Sequence, residues 1–369
     1  MSGTTTASSA SGTATKYTPA QNLADRATLI ATGIRVRANL GTFGGYTAGS
    51  RASIKLRNVG VLTGIMVRVT ANVTITAAMT ESPLGPWGLL SKVEFSDYNT
   101  TLRVSTSNIL LYMVNSIRHG RPWSPVGQGL VDTNQTVVPT AIGTNVTLQF
   151  SIYVPLAVDP HRDLSGSILA QTVVGEQYLN LTINPNFVGD ATSAYTAGTG
   201  TLNSVSFDVW QDYIQPQTAA LPLMDLNTVY ELAGNFVTTS NVQTNGQCFL
   251  DYPNVRIVKA LYAGLIDNGT VTPNGTDINT LTQIANGNTN MREEDPLLVR
   301  MTMREMLGGD LPAGLYYIGN RSNPISTFIY SQVQERFTFN TLTGNSYLFY
   351  GFESTYANNT PLPGIAAGG

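Results

Sequence analysis

Residue types that build catalytic and metal sites are scarce in this sequence. Its 369 residues include one cysteine, Cys248, and two histidines, His119 and His161. A single cysteine excludes an internal disulfide framework, and so few thiols and imidazoles leave no ligand set at zinc spacing. No apolar run approaches the ~18 residues that a membrane-spanning helix requires. We therefore expect no metal, no cofactor and no transmembrane helix.

Charged residues are also few, and their signs are unevenly distributed. They make up 12% of the chain, against about 25% in typical globular domains. This indicates that much surface is buried against other copies of the chain, the alternative being a plain all-β protein with an uncharged surface. Residues 1–80 contain eight basic residues and one acidic residue, whereas the rest contains twelve basic and 22 acidic residues. The asymmetry predicts an anionic partner for the N-terminal region, unless the charges are neutralised within the fold or between subunits.

The N-terminal region is predicted to be a polar tail followed by one helix. Residues 2–15 are only Ser, Gly, Thr and Ala, a composition that buries too little apolar surface to become ordered alone. A helix is predicted from Pro19 to Thr32, because Thr18 can cap it and Gly33 can end it. Its apolar stripe is narrow, so it needs a surface to lie on. No secretory signal pattern precedes it, and we expect the chain to be made and folded in a cytoplasm.

From Ser53 onward the pattern is that of short strands with turn signals, interrupted by few helices. Alternating and β-branched residues predict strands in the first half at 53–57, 65–75, 92–95, 146–154, 178–183 and 205–210. A buried helix is expected at 108–117 and a short one at 164–173, with Asp163 as its cap. In the second half, strands are expected at 247–250, 255–265, 314–318, 326–331, 334–339 and 346–352.

The second half repeats the plan of the first. Its one helix is predicted to begin at Asp295-Pro296 and to bury Val299, Met303, Met306 and Leu307. Each half then ends in an aromatic strand, and the interval between Pro216 and Pro222 cannot continue a central strand. The fold class is therefore all-β, with about eight strands per half, which suits two jelly rolls. We expect a tail and helix over residues 1–50, a first jelly roll over 51–216 and a second over 217–369.

No residue pattern in the sequence predicts an enzyme. Both histidines stand in charged, loop-like stretches, and Cys248 has no neighbouring base to activate it, so structural roles are favoured. The acidic cluster Glu293-Glu294-Asp295 could serve glycoside hydrolysis, but favourable charge at the following helix N-terminus explains it without a reaction. Phosphate-binding and dinucleotide-binding motifs are absent. Specific nucleic-acid binding is not expected, since no aromatic platform accompanies the basic residues of 51–68.

Four stretches of the sequence resemble one family. They are residues 58–71, the joint at 221–230, the Asn/Gly-rich residues 267–279, and the run 314–325 that contains Tyr316-Tyr317. They occur in the order found in the double jelly-roll major capsid proteins of tectiviruses, bacterial viruses whose icosahedral shell encloses a membrane. Residues 84–145 and 186–203 show no clear match.

The resemblance implies a major capsid protein with no enzymatic activity. It implies two eight-stranded barrels per chain, short embedded helices, homotrimers of pseudo-hexagonal outline and a place in the virion shell over an internal membrane. Its partners would be other copies, other capsid and vertex proteins, and the lipids of that membrane. The alternative is a receptor-binding or carbohydrate-binding jelly-roll spike of the same kind of virus, using surface aromatics such as Trp87 and Trp123.

The resemblance also places the N-terminal helix at the inner base of the capsomer. A basic, weakly amphipathic segment there suits anionic phospholipid, or equally a groove on a neighbouring acidic trimer. We expect these contacts to involve the basic and apolar residues of the segment, which are Lys16, Tyr17, Leu23, Arg26, Ile30, Arg35 and Arg37.

Overall fold

The computed structural model describes residues 19–82, 85–118, 137–170, 175–189, 192–217, 228–237, 246–267, 270–271, 277–287, 289–307, 315–319, 324–340, 342 and 346–357. Within them lie three α-helices, α1 (Pro19–Thr32), α2 (Asn108–Arg118) and α3 (Pro296–Leu307), and one 3-10 helix, Gly85–Leu89. The helix α1 has the predicted limits.

Strands dominate both halves of the chain. The first half contains β1 (Ile34–Tyr46), β2 (Arg51–Lys55), β3 (Val61–Glu81), β4 (Leu90–Ser96), β5 (Leu102–Thr106), β6 (Gly143–Pro155), β7 (Ile168–Leu169), β8 (Tyr178–Ile183) and β9 (Tyr195–Gln215). The second half contains β10 (Thr228–Val237), β11 (Gln247–Asp251), β12 (Ile257–Asp267), β13 (Thr270–Val271), β14 (Ile278–Ala285), β15 (Thr289–Glu294), β16 (Leu315–Gly319), β17 (Ile325–Ser326), β18 (Val333–Phe339) and β19 (Ser346–Ala357).

Each half is built from two facing four-stranded sheets, with the same order of neighbours in both halves. In the first half the orders are β1-β9-β3-β6 and β2-β8-β4-β5, and in the second half they are β10-β19-β12-β16 and β11-β18-β14-β15. All pairs within a half are antiparallel. Two sheets of this kind, packed face to face over one core, form a jelly roll. The predicted all-β class with eight principal strands in each half is therefore confirmed.

Alternation of buried and partly exposed side chains explains why these segments form half-buried strands. In β3, the buried side chains Val67, Val69 and Ala71 point inward, and Arg68 and Thr70 between them are partly exposed. Successive side chains on a strand point to opposite faces, so this pattern covers the core on one side only.

The two halves share a continuous hydrophobic core. It runs from the β3 residues through α2 to Leu232 in β10 and Phe349 in β19. The helix α2 lies at the centre, because its apolar side chains are buried on every side, as the sequence predicted. The division of the chain into separate domains at residue 216 stays a prediction.

Two predicted elements are wrong. Residues 164–169 form a turn and the two-residue strand β7 in place of the predicted helix, and the Asp163 carboxylate accepts a hydrogen bond from the Ser165 N–H (2.9 Å) in that turn. Ala170 has a 3-10 conformation, and 171–173 lie outside the described residues. Similarly, the strand expected at 326–331 ends at Ser326. The next residue, Thr327, donates its hydroxyl to the Pro253 carbonyl (2.9 Å), and this side-chain bond to the backbone stabilises a turn.

Several strands were not predicted. β1 lies inside the range assigned to the N-terminal arm, and its polar, glycine-rich sequence has low strand propensity. β14 and β15 were likewise missed, and so was β5, because tertiary pairing rather than a strong local pattern defines these short segments.

Candidate assembly interface

The helix α1 packs on the first half through one buried side chain. Leu29 is 5% exposed, and Ile30 packs at the edge of the same cluster, whose other members are Val61, Leu164, Leu169 and Ile214. The surface that the narrow apolar stripe required is thus supplied by the same chain. Lys16 and Tyr17 lie outside the described residues, as does the side chain of Leu23.

The basic residues of this segment bind groups of the first half. The Arg26 guanidinium donates to the Ser165 hydroxyl (3.0 Å), and Arg35 donates to the Pro160 carbonyl (2.8 Å). Arg37 forms two parallel hydrogen bonds with the Asp212 carboxylate (2.7 and 2.8 Å), which raise the pKa of the guanidinium. Arg35 and Arg37 remain exposed at the surface, so they can also meet a second partner.

Ion pairs within the fold involve at least four of the eight basic residues of 1–80. They are Arg37 with Asp212, Arg51 with Glu94, Lys55 with Glu176, and Arg68 with Asp208. The acidic partners all come from later in the chain, so the charge asymmetry of the sequence is partly neutralised between segments. This supports the alternative stated above for these four residues.

The junction between the two halves is a strand pair covered by a helix. β5 and β10 pair in parallel, with Val104 opposite Leu232 and Ser105 opposite Ala233, and this pair joins one sheet of each half into a ten-stranded sheet. The helix α2 lies over the junction, where the Leu110 side chain fills the space above two paired glycines, Gly234 and Gly351. A Cβ at either glycine would lie less than 2.5 Å from Leu110 Cδ2, so only glycine permits this contact.

A buried ion pair crosses the same junction. Arg118, in the last turn of α2, donates to Glu353 of β19 (2.9 Å) and to the Ala157 carbonyl (3.2 Å), and its guanidinium lies 4.6 Å from the Tyr230 ring centroid. The Tyr262 hydroxyl donates to the other Glu353 oxygen (2.6 Å). Burial lowers the pKa of Arg118, but attraction to Tyr230 and Glu353 outweighs it and raises the pKa overall. Sequence reasoning missed this pair, although the lone carboxylate of Glu353, directly after the apolar run 348–352, was a visible signal.

Beside this ion pair lies a cleft of about 1050 Å³ between the two halves. Its lining contains more basic than acidic side chains, including Arg35, Arg118, Arg162 and Lys259 with Asp159 and Asp212. Among the residues the structure describes, no group of three or more His, Cys, Asp or Glu side chains is arranged to bind a metal ion. The cleft therefore has no geometry for metal chemistry in this part of the chain.

The candidate catalytic residues are dispersed. His161 is exposed in a turn, where its backbone N–H donates to Asp159 (2.8 Å). Cys248 is buried, and burial raises the pKa of its thiol to about 11, so the reactive thiolate is suppressed. Glu293 and Glu294 end β15, and the Asp295 carboxylate accepts the Leu297 N–H (2.7 Å) as the helix cap. His119 lies outside the described residues.

One of the two tryptophans offered for a sugar-binding surface is buried. Trp87 is 2% exposed, stacks on Tyr112 with ring centroids 3.8 Å apart, and meets the edge of Phe150 at 5.1 Å. Its expected surface location is therefore wrong, because apolar neighbours of α2 enclose it. Trp123 lies outside the described residues. No helix in the described part of the chain is long and apolar enough to cross a membrane.

Comparison with known proteins identifies the family. The sequence pattern described as "P3 major capsid protein N-terminal" matches residues 39–218, and "P3 major capsid protein C-terminal" matches residues 227–360. Major capsid protein P3 of Enterobacteria phage PRD1 is 30% identical over 323 residues, which are 80% of this chain and 80% of that protein. The resemblance found in the four sequence stretches is thereby confirmed.

Solved structures show the same fold at lower identity. A chain of Sulfolobus Turreted Icosahedral Virus superposes with a TM-score of 0.65 at 14% identity, covering 88% of this chain and 91% of its own. Major capsid protein P2 of Bacteriophage PM2 superposes with a TM-score of 0.52 at 10% identity, covering 89% of this chain and all of its own. With two matched jelly rolls and a relative of known role, the chain belongs to the P3 family of viral major capsid proteins.

Proposed function

We propose that this capsid protein acts as a homotrimer of pseudo-hexagonal outline that tiles an icosahedral shell over an internal membrane. The observation that supports the trimer is the duplicated strand order of the two halves. Three chains supply six similar halves, and six similar units arranged around one axis give a nearly hexagonal outline suited to tiling. The chain has no catalytic activity of its own in this proposal.

The N-terminal segment supplies the contact with the inner side of the shell. Arg35 and Arg37 are exposed, and Ile34 is 52% exposed, so basic and apolar groups are both accessible where β1 begins. Lys16, Tyr17, Leu23, Arg26 and Ile30 extend this surface in the sequence. A juxtaposition of this kind suits anionic phospholipid, to which each basic residue contributes ~1 kcal/mol. Neighbouring trimers and vertex proteins are the other partners, and synthesis takes place in the host cytoplasm.

Truncation of the N-terminus tests this role. Deletion of residues 2–33 would remove Leu29 and uncover Val61 and Ile214, so deletion of residues 2–18 is the sharper variant because it leaves α1 in place. We expect the shorter deletion to leave the trimer soluble and β-folded by light scattering and circular dichroism, while particles fail to form or lose their membrane.

Vesicle binding separates the two candidate partners of the segment. We expect the trimer to cosediment with phosphatidylglycerol vesicles and not with phosphatidylcholine vesicles, and Arg35→Gln to weaken this binding. The matched control is Arg162→Gln, which removes an exposed arginine of the same cleft from outside the N-terminal segment. Full-sized, membrane-containing particles built from the truncated protein would contradict the proposed role.

A further inference from the structure

The two halves correspond element by element, so a contact made by one half defines a position in the other. β4 pairs with β5 and β8 in the first half, and β14 pairs with β15 and β18 in the second half. In the first half β5 leads into the helix α2, and in the second half β15 leads into the helix α3. α3 is therefore the counterpart of α2, and β15 is the counterpart of β5.

The counterpart helices bear the same kinds of side chain at the same positions, but in opposite environments. In α2, the second, third and sixth residues are Ile109, Leu110 and Met113, and all three are at most 2% exposed. In α3, the same positions hold Leu297, Leu298 and Met301, which are 56%, 58% and 61% exposed. The face of α2 packs on the second half through Leu110, which lies over Gly234 and Gly351, whereas nothing among the described residues covers the face of α3.

The sheet edges show the same difference. β5 is an edge strand of the first half, and it pairs with β10, an edge strand of the second half. Their counterparts are β15 and β1. β15 pairs only with β14, and β1 pairs only with β9, within the described residues. An unpaired edge exposes backbone N–H and C=O groups that another strand can bind.

We propose that the exposed face of α3, together with the free edge of β15, binds the first half of a second copy of this chain. The bound surface is the outer side of β1 and β9, so the contact reproduces between chains the junction that α2 and β5 make with β10 and β19 within a chain. This inference rests on the homotrimer of the proposed function and names the surface that holds it together. Repeated three times, the contact leaves no α3 face and no β15 edge uncovered.

Trp210 lies at the centre of the surface that receives α3. The strand register shifts by one residue at Thr63 in β3 and at Lys259 in β12. After the shift, Gly64 pairs with Asp212 of β9 and Ala260 pairs with Glu353 of β19. β9 and β19 can therefore be aligned by placing Asp212 at the position of Glu353. Trp210 then takes the place of Gly351, the residue on which Leu110 packs. Its indole is half-buried beside the Arg68 guanidinium, 5.5 Å away. The indole is larger than glycine, so α3 lies farther from β9 than α2 lies from β19, and tryptophan at the centre of an interface is a common source of affinity.

Charged substitutions on α3 test the surface. Sedimentation of the purified wild-type chain is expected to give a trimer, and the variant Leu298→Arg/Met301→Glu is expected to give a monomer with an unchanged circular dichroism spectrum. The matched control is Ile329→Arg, since Ile329 is 73% exposed in the turn after β17 and should leave the trimer intact. A trimeric α3 variant would overturn the inference and leave the proposed trimer standing, whereas a monomeric wild type would overturn the trimer itself.

A second pair of variants tests the receiving surface. Trp210→Ala should raise the dissociation constant of the trimer about tenfold or more. In a Cys248→Ser background, Leu298→Cys/Trp210→Cys treated with a short bifunctional maleimide should give a covalent three-chain product. Each single-cysteine variant should give at most pairs. Normal trimers of Trp210→Ala, together with no three-chain product from the double-cysteine variant, would show that α3 binds elsewhere.

Discussion

The two halves of the chain have the same fold but differ in whether their helix and sheet edge are covered within the chain. The first half has its helix and its sheet edge covered by the second half, and an arginine from that helix reaches a carboxylate across the junction. The second half has the equivalent helix and the equivalent edge, and no other segment in the described part of the chain covers either of them. The junction within one chain therefore indicates which surfaces of the second half need a partner, because the equivalent surfaces of the first half are covered there.

The carboxylates at the two equivalent register shifts differ in the same way. Glu353 is 1% exposed and is bound by Arg118, whereas Asp212 is 17% exposed and is bound by Arg37, whose side chain is 54% exposed. The same position thus holds a buried ion pair in one half and a surface ion pair in the other. Their energies should differ accordingly, since breaking a buried pair leaves an unpaired charge out of contact with water.

Substitution of the two arginines measures this difference directly, and it should give the largest effect. We expect Arg118→Met to lower the free energy of unfolding by about 3–5 kcal/mol, because Glu353 stays buried without its counter-ion. In the dissociated chain, Arg37→Met should cost about 1 kcal/mol or less, as for other surface pairs. Urea denaturation of both variants is the measurement. Similar losses from the two substitutions would contradict the assignment, and Arg118→Met/Glu353→Gln should recover part of the stability.

Truncation of the equivalent leucines separates the helices by their burial. Leu110→Ala should lower the free energy of unfolding by about 2–5 kcal/mol, because it leaves a cavity above Gly234 and Gly351. Leu298→Ala removes the same atoms from an exposed position and should change the stability of the dissociated chain by about 0.5 kcal/mol or less. Denaturation at concentrations below the dissociation midpoint makes this comparison, and a large loss from Leu298→Ala there would mean that α3 is already covered within one chain.

A third difference between the halves is a buried carboxylate. Ile54 in β2 lies opposite Leu179, and the equivalent Leu250 in β11 lies opposite Glu335. Glu335 is fully buried, and burial raises the pKa of its carboxyl to about 7, despite Arg292 at 3.6 Å and a hydrogen bond from the Tyr252 hydroxyl at 3.0 Å. Only the second half therefore has a titratable group in this sheet position.

The pH dependence of stability should reveal Glu335. Since its pKa is raised on folding, the stability it contributes is fully present below the unfolded pKa and is lost as the pH rises through about 7. We expect Glu335→Gln to remove this loss and to be more stable than the wild type at pH 8, by up to about 3 kcal/mol. Glu81, whose carboxyl pKa burial also raises to about 7, titrates in both proteins and cancels in the difference. Identical pH profiles would contradict the assignment.

Much of the fold was predictable because local patterns and tertiary structure agree. The limits of α1 followed from its cap, its first-turn proline and Gly33, and β8 followed from clean alternation over 178–183. The strands that were missed, such as β1 and β15, are edges whose side chains are only partly buried. Their strand conformation depends on the strand with which they pair, and a local sequence pattern does not identify that strand.

The site was less predictable than the fold for the same reason. Arg118 and Glu353 are distant in sequence, so nothing local links them. The exposed face of α3 was also invisible, because Leu298 and Met301 resemble core residues until the structure shows that no described residue covers them. By contrast, the basic N-terminal residues could be listed from composition, although the ion pairs that neutralise some of them could not.

The order of strands has a consequence for the time at which assembly can begin. β9 is the last strand of the first half and pairs with both β1 and β3, and β19 is the last strand among the described residues and pairs with both β10 and β12. The sheet β1-β9-β3-β6 and the sheet β10-β19-β12-β16 therefore each lack a central strand until that final segment leaves the ribosome. The surface on β9 cannot form until residue 215 has been made, and the second half cannot support α3 until the chain is nearly complete. An unfinished chain can therefore present the β9 surface alone, and the two surfaces of the inferred contact are present together only when β19 has been made.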